Sequence, residues 1–178
     1  MDILAHGLWV GAGYKAFNKK NDRRLNTKAA VFWGVFPDLF AFTISFSWMA
    51  WHLFIGDFNA SQIPHPGAVE PPVADTIWVF RLSHQLYSVS HSLIVFFAVF
   101  MLVFVLWRRP IWELGGWLIH ILIDIPTHTY QFFPTPILWP ISDITLSGMS
   151  WATPTFLITN YALLALIYWL LRERKIRT

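Results

Sequence analysis

Five apolar runs, at residues 3–17, 29–55, 89–107, 110–125 and 154–171, are separated by polar loops of contrasting charge. Each run predicts a helix. The first is short, about 22 Å if helical, and carries Gly7, Gly11 and Gly13, so it reads as partly embedded or as a thin span packed closely on its neighbours. The second is long enough to cross a bilayer, with a kink or break expected at Pro37. Residues 56–88 form a loop kept irregular by Pro64, Pro66, Pro71 and Pro72. From Asp75, a plausible N-cap, the pattern turns helical and can run into the 89–107 span. Pro110 suits the first turn of the next segment, which rises until Pro126. A second loop, residues 126–153, lacks Lys and Arg, and Thr153-Pro154 opens the last span.

Composition agrees with this pattern. The 178 residues are 56% hydrophobic, 18% aromatic and 13% charged, where a soluble domain carries about 25% charged residues. The expected fold is therefore all-α: a polytopic membrane helix bundle of four to five membrane-embedded helices, with residues 1–178 forming one integral membrane domain. The basic residues flank apolar segments: Lys15, Lys19, Lys20, Arg23, Arg24 and Lys28; then Arg108 and Arg109; then Arg172, Arg174, Lys175 and Arg177. That distribution fits the positive-inside rule better than a nucleic-acid footprint. It puts the basic loops and the C-terminus in the cytoplasm, with a bacterial inner membrane the expected location. Trp107, Trp112 and Trp169 then lie near the inner boundary, and Trp48, Trp51, Trp139 and Trp151 near the outer one. Asp2 stands where a signal peptide has positive charge, and the basic residues follow the apolar stretch, so no cleavable signal is expected.

Ionisable side chains intrude on these runs. Such groups are costly at membrane depth and are buried against a partner, a cavity or a metal. His120, Asp124 and His128 follow at four-residue spacing, which leans all three toward one helix face, unless Pro126 ends the helix and brings His128 in from the loop. His91 opens the 89–107 run, with His84 two turns earlier on the same face, and Asp38 follows Pro37 inside the second run. His6 lies in the first. Measured from the basic turns, Asp38 and His120 sit roughly 15 Å deep, Asp124 roughly 22 Å and His91 roughly 25 Å. His52 and His65 read as surface residues. Cysteine is absent, so a metal would need imidazole and carboxylate ligands, which suit Zn²⁺ and also Mn²⁺ or Fe²⁺.

These residues carry a family resemblance. The early His6, Phe36-Pro37-Asp38, Ser90-His91-Ser92 and the Gly116-x-x-x-His120-x-x-x-Asp124 helix, followed by Trp139-Pro140, resemble in order the YdjM-like membrane-bound metal-dependent hydrolases. The likeness covers roughly residues 3–145. That family is in turn distantly similar to bacterial zinc-dependent phospholipase C, an all-helical enzyme with a His-x-x-x-Asp ligand helix. The resemblance implies His6, Asp38, His91, His120 and Asp124 as ligands, with His128 a weaker match and His84 offset from the family's histidine-arginine pair. It departs at two points. The phospholipases use an N-terminal tryptophan as a ligand, whereas Trp9 is internal, and no histidine follows His128. One or two ions are therefore expected rather than three.

The expected function is a membrane hydrolase using metal-activated water on a lipid or other amphiphilic (phospho)ester, with membrane lipid and such an ester as its partners. Asp38 and His91 are the expected catalytic residues, Asp38 as general base. Arg81 can hold a phosphate, though an exposed interfacial role fits it better. Two rivals stay open: a metal or proton transporter, and a noncatalytic membrane partner with a structural metal.

Overall fold

The computed structural model describes residues 1–21, 24–59 and 77–172. Asp75, His65, the four loop prolines, Arg23 and the basic residues beyond Arg172 lie outside the described residues. Within them the fold is helical: α1 (Ile3–Lys20), α2 (Thr27–Ile55), α3 (Trp78–Ser90), α4 (Leu93–Trp107), a short 3₁₀ turn (Trp112–Leu114), α5 (Gly115–Thr127) and α6 (Pro154–Leu171). The only pairing of β type among them is an isolated bridge between Thr129 and Phe132.

α2 is the central element, packed against α1, α3 and α5, while α6 lies on the far side of α1. Its start is capped by the Asn26 side chain, which accepts from the Lys28 and Ala29 backbone N–H groups. The helix runs unbroken through Pro37 to Gly56, whose φ of 80° supplies the left-handed C-cap. The expected break at Pro37 is therefore absent.

The expected continuous helix into the 89–107 span is also corrected. α3 and α4 are separate and bent by 60°. Ser92 starts α4 by accepting from the Ile94 and Val95 N–H groups, and the Ile137 carbonyl accepts the Leu93 N–H at 3.0 Å. Local capping and a long-range loop contact together favour the bend over continuation.

Two helices, α2 and α6, are long and apolar enough to cross a membrane, and the bent α3–α4 pair makes a third if it is one span. The expected four to five spans reduce to these. α5 has 13 residues, about 20 Å of helix, short of a hydrocarbon core of about 30 Å. α1 has 18 residues but is diluted by glycines, Lys15 and Asn18. The outer faces suit lipid: of the fifteen residues of α4 only Phe96 is buried, and Phe97, Met101, Leu102, Val105 and Leu106 are exposed. Lys15, Lys19, Arg24 and Arg172 line one cleft at the opposite end of α1 from His6.

Two glycines set the helix spacing that the site needs. A Cβ at Gly34 would meet Val10 on α1 at 2.7 Å, and one at Gly116 would run into the Ala30 carbonyl oxygen of α2. Backbone cannot yield as a flexible side chain can. Gly116→Ala is expected to cost about 1–3 kcal/mol, the range for overpacking, read as a lower unfolding temperature in detergent. Gly13→Ala, where an added Cβ meets nothing within 4 Å, should match wild type or exceed it.

Candidate metal centre

Four elements bring one donor residue each to a common point. α2 supplies Asp38, the α3–α4 break supplies His91, and α5 supplies His120 and Asp124, while α1 lays His6 alongside. All five are at most 4% exposed. One ligand atom each from Asp38, His91, His120 and Asp124 lies within 4.8 Å of the others. The sequence-derived depths spread these residues over some 10 Å of helix rise. Convergence is possible because His91 sits in the bend, as the residue after α3, rather than at the start of a straight span.

The outer hydrogen bonds decide which ring nitrogens face inward. His120 Nδ1–H donates to the Gly34 carbonyl at 2.7 Å. His91 Nδ1–H donates to the Tyr87 carbonyl at 3.1 Å, with Ser90 Oγ 2.9 Å away. Ser90 Oγ–H is itself directed to the Pro37 carbonyl at 3.2 Å. Tyr87 stacks on the His91 ring, centroids 3.7 Å apart. With both Nδ1 atoms committed as donors, both Nε2 atoms present lone pairs. Yet His91 Nε2 and His120 Nε2 are 3.0 Å apart. Carboxylate oxygens close the group: Asp124 Oδ2 lies 3.4 Å and 3.2 Å from the two nitrogens, and Asp38 Oδ1 lies 3.5 Å and 3.7 Å from them.

Four acceptors facing one another at this spacing repel unless positive charge sits among them. A tetrahedral ion with bonds of about 2.0–2.1 Å puts its ligands about 3.3–3.4 Å apart, the middle of the printed 3.0–3.7 Å range. Asp124 Oδ2 and Asp38 Oδ2 are buried without a hydrogen-bond partner, a state that is costly for a carboxylate lacking a cation. The group can hold a metal ion.

Asp124 faces two ways. Its Oδ1 lies 2.9 Å from His6 Nε2 and 3.2 Å from His128 Nε2. His128 is the residue after α5, its backbone N–H still bonded to the Asp124 carbonyl, so it reaches the site from the helix end as Pro126 suggested. His6 stacks on His120, centroids 3.7 Å apart, and neither of its nitrogens makes an aligned hydrogen bond. The Met1 amino group donates to Asp124 Oδ1 and lies 2.9 Å from His128 Nε2. Sequence reasoning looked for a chain-terminal amine only at Trp9 and missed it. Trp9 instead donates its indole N–H to Asn160 on α6 at 2.8 Å.

His84 does not join this group. It stacks on Phe133, centroids 4.4 Å apart and rings nearly parallel, because the bend after Ser90 turns the two histidines of α3 toward different neighbours. His52 sits at the end of α2, 2.6 Å from Asp57, in line with a surface role.

A cavity of about 390 Å³ adjoins the group, with Asp38 and His128 in its wall and Phe42, Phe46, Met49 and Phe80 among its apolar lining. No sequence signal pointed to it, since its wall is drawn from α1, α2, α3 and two stretches of the 128–153 loop. That loop is pinned by backbone bonds from Gly148 to His128, Met149 to Pro126 and Trp151 to Thr127.

Compared with protein-family models, curated proteins and solved structures, the chain matches none.

Proposed function

We propose that this protein is a membrane-bound metal-dependent hydrolase acting on an amphiphilic (phospho)ester such as a lipid. The observation that carries the reading is the buried set of four acceptors, Asp38, His91, His120 and Asp124, at metal-ligand spacing beside a largely apolar cavity. We take one Zn²⁺ as the ion of that set. Asp124 Oδ1, His6 and His128 are available for a second. A bound ion of this kind activates water and polarises the ester oxygen.

The protein's own residues then have separable tasks. Asp38 can ligate through Oδ1 while Oδ2, which lacks a hydrogen-bond partner, accepts the proton of the attacking water. His91, expected as catalytic, fits a ligand better, because its Nδ1 is already spent on the Tyr87 carbonyl. The Gly34 and Tyr87 carbonyls hold the two imidazoles in the tautomer that a cation requires. With the basic cleft on the cytoplasmic side, the donors face the outer half of the bilayer, so the headgroup would come from the outer leaflet.

The test is hydrolysis of a fluorogenic alkyl phosphodiester by protein purified in detergent without chelator. Release of fluorophore is expected, to fall at least 100-fold after chelation and to return with added Zn²⁺. Asp38→Asn should lower turnover by 10²–10⁴, the range for losing a general base. Zinc flux into proteoliposomes without hydrolysis of any ester offered would favour the transporter instead.

A further inference from the structure

We propose that the cavity beside the metal group is a binding site for one long alkyl chain, the apolar leg of an amphiphile whose anionic head lies at Asp38 and His128. The proposal rests on the hydrolase reading for the head and on independent geometry for the chain. Asp38, Phe42, Ser45, Phe46 and Met49 all line the cavity, and their spacing of four, three, one and three residues is one face of α2. From Asp38 to Met49 that face extends about 16 Å along the helix. The donors thus occupy one end of a long, narrow strip, and Met49 marks the other.

The strip is built to stay apolar. The one polar residue midway, Ser45, is 1% exposed, donates to the Phe42 carbonyl at 3.0 Å and accepts the Ser83 hydroxyl at 3.0 Å. Its hydroxyl is therefore consumed within the protein and offers nothing to a polar ligand. Opposite α2 stand Phe80 of α3 and Phe133 of the loop, the latter edge-on to Phe42 with centroids 5.0 Å apart. A bulky polar headgroup would strand its hydrogen bonds among these rings. An alkyl chain has none to strand, and its length matches the strip. The apolar wall also continues from the metal group itself, so a chain seated there holds its ester next to Asp38 without a further positioning residue.

The experiment measures binding of two non-hydrolysable probes, methylphosphonate and dodecylphosphonate, to zinc-loaded protein at one fixed detergent concentration, so that micellar partitioning is common to all arms. Wild type is expected to bind dodecylphosphonate at least 100-fold tighter than methylphosphonate. Met49→Trp, which shortens the strip at its far end, should weaken dodecylphosphonate at least tenfold and leave methylphosphonate and zinc content within twofold. Met49→Phe serves the same purpose if the tryptophan variant fails to hold zinc. Equal dodecylphosphonate affinity in wild type and variant, or an equal loss for both probes, overturns the chain site. Failure of methylphosphonate to bind any zinc-loaded protein overturns the headgroup reading alone, because the Met49 effect on the long probe would still locate the chain.

Discussion

Purified without chelator, Asp124→Ala protein is expected to carry less than a tenth of the transition metal found in wild type, the largest loss of any single substitution. The reason is the double use of its carboxylate. Oδ2 belongs to the four-acceptor set with His91 and His120, and Oδ1 faces His6 and His128. No other residue touches both sets through separate oxygens. Removing one ligand of a structural-type zinc site forfeits much of an interaction whose apparent strength in small peptides is about 10–16 kcal/mol. His120→Ala should lose nearly as much. His128→Ala, which disturbs only the Oδ1 side, should keep at least one equivalent. Elemental analysis by plasma mass spectrometry, normalised to protein, reads all three. Helical circular dichroism is the control for folding. Wild-type protein at background metal, or His128→Ala losing as much as Asp124→Ala, would remove the basis for assigning the ion to the four-acceptor set.

How far the residues announced this site varies with the kind of contact. The four-residue spacing of His120, Asp124 and His128 was readable because helical periodicity alone puts them on one face. Asp38 was readable because a buried carboxylate in an apolar run needs a partner. His91 was readable as a candidate, but its geometry was not. The bend that delivers it depends on Ser92 capping α4 and on Ile137 reaching back across 44 residues of chain, and long-range contact of that kind has no local signature. The carbonyls of Gly34 and Tyr87, which set the imidazole tautomers, are hidden for the same reason: every residue has a carbonyl, and only packing selects one. His84 shows the opposite failure, where correct spacing to His91 led to a ligand assignment that the bend between them does not support. The span count was overestimated because apolar content was read without length. α5 is apolar and buried, yet it is a core helix that carries donors, not one long enough to cross.

Chelation is expected to lower the unfolding temperature of wild-type protein by about 5–10 °C and to leave the Asp38→Asn/Asp124→Asn variant within about 1 °C. The magnitude follows from linkage. Metal at 100 times its dissociation constant stabilises the folded state by about 2.7 kcal/mol, and each kcal/mol moves the midpoint of a chain this long by about 2–4 °C. The ordering of the chelated proteins is the stronger part of the prediction. Without a cation, wild type keeps two carboxylates at 4% and 1% exposure, with Oδ2 of each lacking a hydrogen-bond partner. Breaking a buried ionic group by removing one member costs about 3–5 kcal/mol because the remaining charge is uncompensated. The double asparagine variant keeps nearly the same shape, removes both charges and gives each position N–H donors for the facing Nε2 atoms of His91 and His120. It should therefore melt above chelated wild type while binding no metal. Differential scanning fluorimetry in detergent, with and without chelator, distinguishes this from a site whose charges are balanced by protons on the imidazoles. In that case chelator would shift neither protein, and the asparagines would destabilise by stripping the imidazolium rings of their counter-charges.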